Sequence, residues 1–313
     1  MRWLKRLGAV RTNRIRFEAS GAETAGEHAE DQMLERVQQI IEAAPNAKRW
    51  RAWSEVRVKD GNWRTEIDLV VATDDTLFLL ELKNWSGRLD VHNEILVQHR
   101  RHEGGMIEHG NLMKTMQKRE AGMRAWLTKQ GCDPPRIERK ILFYNPRLEF
   151  SDAVFEYFGN EVASASEWLS DFSRLAQNAS PPPSKAGAKE RALHAAIDNL
   201  YTWDWVEMYG GRTVRGDIRS SAVKIRLTSG KEVPLHDRKV FTHIEVEAPR
   251  GYVRALFTPS MMLTVRAVRR NGEEIETKLP IDTTVRVHAA GQKETELVAL
   301  RHVRRLRFGR TKS

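Results

Sequence analysis

Cysteine is almost missing from this chain of 313 residues: Cys132 stands alone, so no internal disulfide is available and nothing calls for an oxidising compartment. Long apolar runs are missing as well. No stretch approaches the roughly 18 residues that a membrane helix requires. The opening segment MRWLKRLGAVRTNRIRF scatters basic residues through what a secretory leader would keep apolar. A cytoplasmic protein without a signal peptide is the expectation. No glycine-rich Walker or dinucleotide fingerprint precedes a helix, which argues against an ATPase motor. There is no nucleophile-elbow sequence. His92, His99, His102 and His109 have neither a partnering Cys pair nor helical His-x-x-x-His spacing, which argues against structural zinc.

Positive charge is abundant, and it is segregated. The chain carries a formal net charge of +10. Residues 1–20 hold six Lys/Arg against one Glu, residues 201–313 hold 22 against 13 acids, and residues 21–200 hold 24 against 28. An acidic centre between basic ends fits chemistry in one segment and polyanion binding in the others. Solubility alone is the plainer explanation, and an anionic membrane surface is the minor competitor. The run RHVRRLRFGRTKS at residues 301–313 has six Lys/Arg and no acid. Such a tail holds phosphate backbones without reading sequence, with an effect that falls steeply with salt. The alternative is a solvated tail on a structural β-domain; a β-domain of this kind could equally dock a protein partner.

Four segments follow from pattern. Residues 1–20 form a basic arm. Residues 21–165 open on a helix, with Met33, Leu34, Val37, Ile40, Ile41 and Ala44 at helical spacing and Pro45-Asn46 ending it. RAWSEVRV, TEIDLVVA and TLFLLELKN then predict three strands. The His-rich stretch from Val91 to Gly110 has room for a short hairpin, and a helix near 111–130 and the strand RKILFYN follow. Residues 166–190 add a helix with Trp168, Leu169, Phe172 and Leu175 on one side, then a Pro/Ser/Ala-rich linker. Residues 191–313 predict a helix and a basic, β-rich domain, a small sandwich or barrel. Hairpin signals at Ser229–Val233 and Asn271–Ile275 hint at a duplicated unit.

Inside these apolar strands stand three charges. In TEIDLVVATDDTLFLLELKNWSG, with Asp74 and Asp75 as a tight hairpin turn, opposed residues keep a constant index sum, and Asp68 falls opposite Glu81. Their Cβ atoms would lie roughly 4.5–5.5 Å apart, and the two-residue period brings Lys83 to the same side. Opposed carboxylates in an apolar sheet cost stability unless something compensates. A hard divalent cation does so, and a lysine beside it stabilises developing negative charge. The group suits phosphodiester hydrolysis; a buried Asp–Lys–Glu ion network is the alternative.

Ile67-Asp68, the thirteen-residue step to Glu81 and Glu81-Leu82-Lys83 resemble the D-x(n)-(D/E)-x-K signature of the restriction-endonuclease-like PD-(D/E)XK nucleases. Gly26-Glu27 at the first helix, TEIDLVV, LFLLELKNWSGRL and a following basic helix together resemble the nuclease-related domain, NERD, over about residues 21–150. The resemblance implies an α/β fold with an α-β-β-β-α-β core, followed here by the small, mostly antiparallel β-domain. It also implies Mg²⁺-dependent cleavage of nucleic acid, with Mn²⁺ as a substitute. By position it implies Asp68 and Glu81 as metal ligands, Glu27 as the helix glutamate completing the site, Lys83 as the catalytic lysine and Gln117 as a polar helper from the second helix. Glu27 also stands seven residues before Leu34, on the core-facing stripe. The residue before Asp68 is Ile67, where the wider superfamily has Pro. DNA ranks ahead of RNA as the partner, with a homodimer or a protein partner through the C-terminal domain left open. The rival is a catalytically silent nucleic-acid-binding or adaptor protein that retains the fold.

Overall fold

The computed structural model describes residues 21–60, 63–100, 105–180, 187–219, 222–247, 262–290 and 295–309. The basic arm, most of the linker and the last four residues lie outside them. The chain divides into two units, Ala19–Leu200 and Tyr201–Ser313. No helix among the described residues is long and apolar enough to cross a membrane.

The first unit runs α1 (Gly21–Ala43), β1 (Arg51–Asp60), β2 (Trp63–Ala72), β3 (Thr76–Lys83), β4 (Gly87–His92), β5 (Ile95–His99), β6 (Met106–Glu108), α2 (Leu112–Lys129), β7 (Arg136–Phe143), β8 (Leu148–Phe150), α3 (Asp152–Phe158), β9 (Val162–Ser164), α4 (Ala165–Gln177) and α5 (Gly187–Asp198). The expected α-β-β-β-α-β core is therefore present, with β4–β6 inserted before α2. Its sheet has the order β1-β2-β3-β7-β9. β1, β2 and β3 pair antiparallel, and β3, β7 and β9 parallel.

Helices cover both faces, as the apolar third strand demands. On one side Met33, Val37 and Ile41 of α1 and Trp168, Leu169 and Phe172 of α4 pack on Leu69, Val71, Phe78, Leu80 and Leu82. On the other, Met116, Met123 and Leu127 of α2 and Ala196 and Ile197 of α5 pack on Val70, Leu77, Leu79 and Ile141. α4 begins on a capping box between Ser164 and Glu167. Its Leu175, expected on the apolar side, is exposed. The helix at 187–198, placed above with the C-terminal domain, packs on the first unit: Trp126 Nε1 donates to the Ala196 carbonyl at 2.8 Å.

The His-rich stretch folds as most of a second sheet, β6-β5-β4-β8. Its hairpin turns at Asn93 and Glu94, both with positive φ (48° and 65°), as a two-residue hairpin turn requires. Gly87 has φ +100°, and a Cβ there would lie 2.1 Å from the His99 carbonyl oxygen. The glycine in LKNWSG is thus fixed by close backbone approach.

The second unit contains β10 (Asp204–Met208), β11 (Thr213–Arg219), β12 (Lys224–Arg226), β13 (Glu232–Pro234), β14 (Phe241–Glu247), β15 (Met262–Arg269), β16 (Glu274–Pro280), β17 (Thr284–Ala289), β18 (Glu296–Ala299) and β19 (Val303–Arg307). Eight of these make one curled antiparallel sheet, β16-β15-β14-β19-β10-β11-β17-β18. The hairpin β12–β13 is separate and contributes Ile225 and Val233 to the same core as Val265, Val287 and Leu306. The two hairpins suspected of duplication thus belong to different sheets. The run ELVALRHVRRLRF is two strands: β18 at the sheet edge and β19 between β14 and β10.

Candidate functional site

The site grows from a break in β1 and β2. In a regular strand, residues three apart lie on opposite faces. Yet Trp53 and Val56 share a face, as do Ile67 and Val70, whereas Leu69 and Val71 belong to the opposite core. Both strands change phase at one level. Register is unaffected: Ser54 pairs with Leu69 and Val56 with Ile67, and the skipped pair is Glu55 and Asp68. Glu55 sits at φ 55°, a left-handed conformation that costs a non-glycine residue of the order of 1–3 kcal/mol.

The β2–β3 register is the expected one, with Leu69 opposite Leu80 and Ala72 opposite Leu77. Its turn closes differently. Neither Asp74 nor Asp75 takes a left-handed angle; instead the Thr73 N–H and hydroxyl donate to the Thr76 carbonyl at 2.9 and 3.0 Å, and the Thr76 N–H donates back to the Thr73 hydroxyl. The ladder's backbone pairing stops at Leu69 and Leu80, one residue short of Asp68. There the Asp68 side chain replaces backbone pairing, its Oδ2 accepting the Leu82 N–H at 2.7 Å.

Alternation along β3 puts Glu81 and Lys83 on the side of α2. Lys83 Nζ lies 2.5 Å from Glu81 Oε1, and Arg119 Nη1 of α2 donates to Glu81 Oε2. Arg119 Nε donates to Thr65 Oγ1 at 3.2 Å. Asp68, Glu81 and Arg119 are all buried. Burial, then the neighbouring charges of Glu81 and Glu30, hold the Asp68 carboxyl well above its ordinary range, and Lys83 does not offset them. For Glu81, burial pushes upward but Lys83 and Arg119 outweigh it, so its pKa falls below the ordinary value. For Lys83, burial pushes downward but Glu81 and Asp68 prevail, so the ammonium is held more firmly than usual.

Three of the expected residues thus meet: Asp68, Glu81 and Lys83. Gln117 does not join them. It is exposed on α2 and lines a separate polar cleft of about 420 Å³ with Glu94, Lys114, Tyr157 and Glu161. The side chain of Glu27 lies outside the described residues. Arg119 was not foreseen, although its signal is visible: on α2 it falls on the buried stripe Met113, Met116, Met123 and Leu127, a charge where an apolar residue is expected. His109, considered above only as a zinc ligand, stacks its ring on Trp85 at 3.5 Å between centroids and contacts Gln98 Oε1 at 2.9 Å. Burial, then Lys83 and Arg100, lower its pKa.

Oxygen donors suited to a hard cation are present. The under-compensated charge of Asp68 beside Glu81 is what such an ion would relieve, so the residues fit a divalent metal. Carboxylate oxygens of Glu30, Glu55 and Glu66, next to this cluster, lie within 4.8 Å of one another, a spacing that could also hold one.

Two carboxylates and a lysine thus stand together where the sheet of an α-β-β-β-α-β core parts. Residues 24–144 match the family model of the nuclease-related domain, NERD, and in this part the chain is similar to that family. The match runs from α1 to just past β7 and leaves the second unit uncovered. No curated protein matches the chain.

Proposed function

We propose that the chain is a metal-dependent nuclease that hydrolyses phosphodiester bonds of DNA in preference to RNA, using Mg²⁺ or Mn²⁺, in the cytoplasm. The observation that supports it best is the pair of buried carboxylates Asp68 and Glu81, with half-buried Lys83 beside them, at the parting of β2 and β3 within the segment that matches the nuclease-related domain. Asp68 and Glu81 would hold the metal, with Glu27 from α1 completing the set. When bound, such an ion polarises the phosphate and lowers the pKa of an attacking water. Lys83 keeps its proton, because Glu81 and Asp68 raise its pKa. It therefore acts as a fixed positive charge for the developing phosphorane oxygens and not as a general base. Asp68 is held in place by the Leu82 N–H, and Glu81 by Lys83 and Arg119.

The second unit, by this proposal, holds the nucleic-acid backbone. Its sheet arginines contribute less than their number suggests, since several are ion-paired: Arg305 with Glu245, Arg307 with Glu207, and Arg266 with Glu245, Glu247 and Glu274. The other basic residues of the run at 301–313, Arg301, Arg304, Arg310 and Lys312, supply the remainder.

One observation favours the silent adaptor: both oxygens of Glu81 already carry a protein cation. The deciding experiment is cleavage of supercoiled plasmid, linear duplex, single-stranded DNA and RNA by wild type and Lys83→Ala, with Mg²⁺, Mn²⁺ or EDTA. The nuclease predicts metal-dependent cutting that falls at least a hundredfold in Lys83→Ala, of the order of losing one positioned charge at a transition state. Salt-sensitive binding without cutting on any substrate selects the adaptor.

A further inference from the structure

Arg119 is the charged member of the buried stripe of α2, and its guanidinium is committed on two sides. Nη1 donates to Glu81 Oε2 and, at 3.2 Å, to the Met116 sulfur, while Nε donates to Thr65 Oγ1 at 3.2 Å. Lys83 holds the other oxygen, Oε1. A metal taking Glu81 as a ligand therefore meets oxygens that already have cationic partners. Asp68 is held differently: its Oδ2 accepts the Leu82 N–H at 2.7 Å, whereas each oxygen of Glu81 meets a side-chain cation. Two buried carboxylates that would share one ion are thus compensated unequally, and Arg119 makes the difference.

We propose that Arg119 is a built-in counter-ion of Glu81 that occupies a ligand oxygen in the metal-free protein and yields it when a divalent cation binds, so that Arg119 sets the metal affinity of the site. The inference rests on the metal-dependent reading above. Its physical basis is charge balance. Asp68 and Glu81 are matched by Lys83 and Arg119, with Glu30, Glu55 and Glu66 alongside, so removing Arg119 makes the surroundings of an entering dication one charge more negative. Removing a protein cation from a site of low effective dielectric strengthens binding of a second cation. It also leaves Glu81 with a single partner, which destabilises the metal-free fold. Arg119 is a positioning residue, acting on metal and substrate through Glu81.

The test is calorimetric titration of Mn²⁺ into the full-length wild type, Arg119→Met, Arg119→Lys and, as a control for charge at a distance, Lys118→Met on the exposed side of α2. Melting in EDTA and in excess Mn²⁺ runs in parallel. Arg119→Met should bind Mn²⁺ at least tenfold more tightly, melt lower than wild type in EDTA and recover with Mn²⁺. Arg119→Lys should stay within about threefold of wild type, and Lys118→Met within about twofold, as screened surface charges do. A merely structural ion pair would lower the melting temperature without tightening Mn²⁺, and that result overturns the proposal. So does equal tightening in Lys118→Met. Arg119→Gln, which keeps a donor for Glu81 without the charge, carries the same expectation if the Met variant does not fold. Binding in Arg119→Met but not in wild type supports the counter-ion and refutes metal-dependent cleavage by the natural protein. Binding in wild type that is no tighter in the variants refutes the counter-ion alone, and absence of binding in all of them refutes both.

Discussion

Each unit buries a cluster of two aspartate or glutamate side chains with arginine, and the two clusters are built on different terms. In the second unit Asp204 is fully buried. Its Oδ1 accepts from Arg238 Nε at 2.8 Å and the Gly309 N–H at 2.9 Å, and its Oδ2 from Arg238 Nη2 at 2.5 Å and the Ile218 N–H at 2.8 Å. Arg238 Nη2 also reaches Asp217 Oδ1 at 3.1 Å. The approach of Gly309 is so close that a Cβ there would lie 2.4 Å from the Thr202 carbonyl oxygen. Every lone pair direction of Asp204 meets a donor, and the cluster ties β10, β11 and the chain beyond β19 together. In the first unit Asp68 receives one backbone N–H and stays close to Glu81 and Glu30. A buried charge cluster that only holds a fold together matches donors to acceptors. One that leaves a carboxylate under-compensated, beside a left-handed Glu55, is poised for something more.

The largest expected effect breaks the well-matched cluster. Arg238→Met leaves Asp204 buried without its cation and removes the nearer of the two arginines at Asp217, which keeps Arg219 at 3.5 Å, and should destabilise the second unit by about 3–5 kcal/mol, read as loss of its unfolding transition in calorimetry or denaturant titration. The sharper contrast is one substitution made at both sites. Asp204→Asn must point an amide NH₂ at two donors whichever way it is turned, and should also destabilise severely. Asp68→Asn keeps an acceptor for the Leu82 N–H and removes a charge that the fold penalises. In EDTA it should therefore melt higher than wild type, by about 2–4 °C for each kcal/mol relieved, while losing affinity for Mn²⁺. A lower melting temperature for Asp68→Asn would mean that the two clusters are alike and that Asp68 is structural.

How much of this could be read beforehand depends on the range of the interaction that decides it. The register of β2 on β3 was legible because a two-residue turn and a two-residue period leave one solution, and it placed Asp68, Glu81 and Lys83 together. The phase break was not legible: Glu55 takes a positive φ without being glycine or asparagine, so no residue type announces it. Arg119 was legible by the reasoning that singled out Asp68, as a charge on an apolar stripe, whereas Gln117, two residues earlier on the helix, turns about 200° away from it. In the second unit the hairpins at Ser229–Val233 and Asn271–Ile275 were legible from their turn residues. The position of β19 between β14 and β10 was not, nor was the Asp204–Arg238 cluster, because both depend on pairings between segments distant in sequence.

The smallest effect is a pH dependence, and its sign separates Asp68 from its neighbour. The Asp68 pKa is raised in the folded, metal-free protein above its ordinary 3.8, so below that value the group is protonated whether folded or not and costs nothing. As pH rises from 3.8 through the higher folded pKa, the unfolded chain loses its proton first and stability falls. The advantage of Asp68→Asn over wild type should accordingly be absent at the acid end, grow through that window and then stay constant. Glu81 runs the other way. Its folded pKa lies below the ordinary 4.5, so its ion pairs contribute fully above 4.5 and are lost as pH falls through the folded value, and Glu81→Gln should cost most at neutral pH. Saturating Mn²⁺ should flatten the Asp68 difference seen in wild type against EDTA, because an ion bound at Asp68 lowers its pKa. A pH profile for Asp68→Asn parallel to wild type in EDTA would show that Asp68 titrates normally, and with it the contrast between the two clusters would disappear.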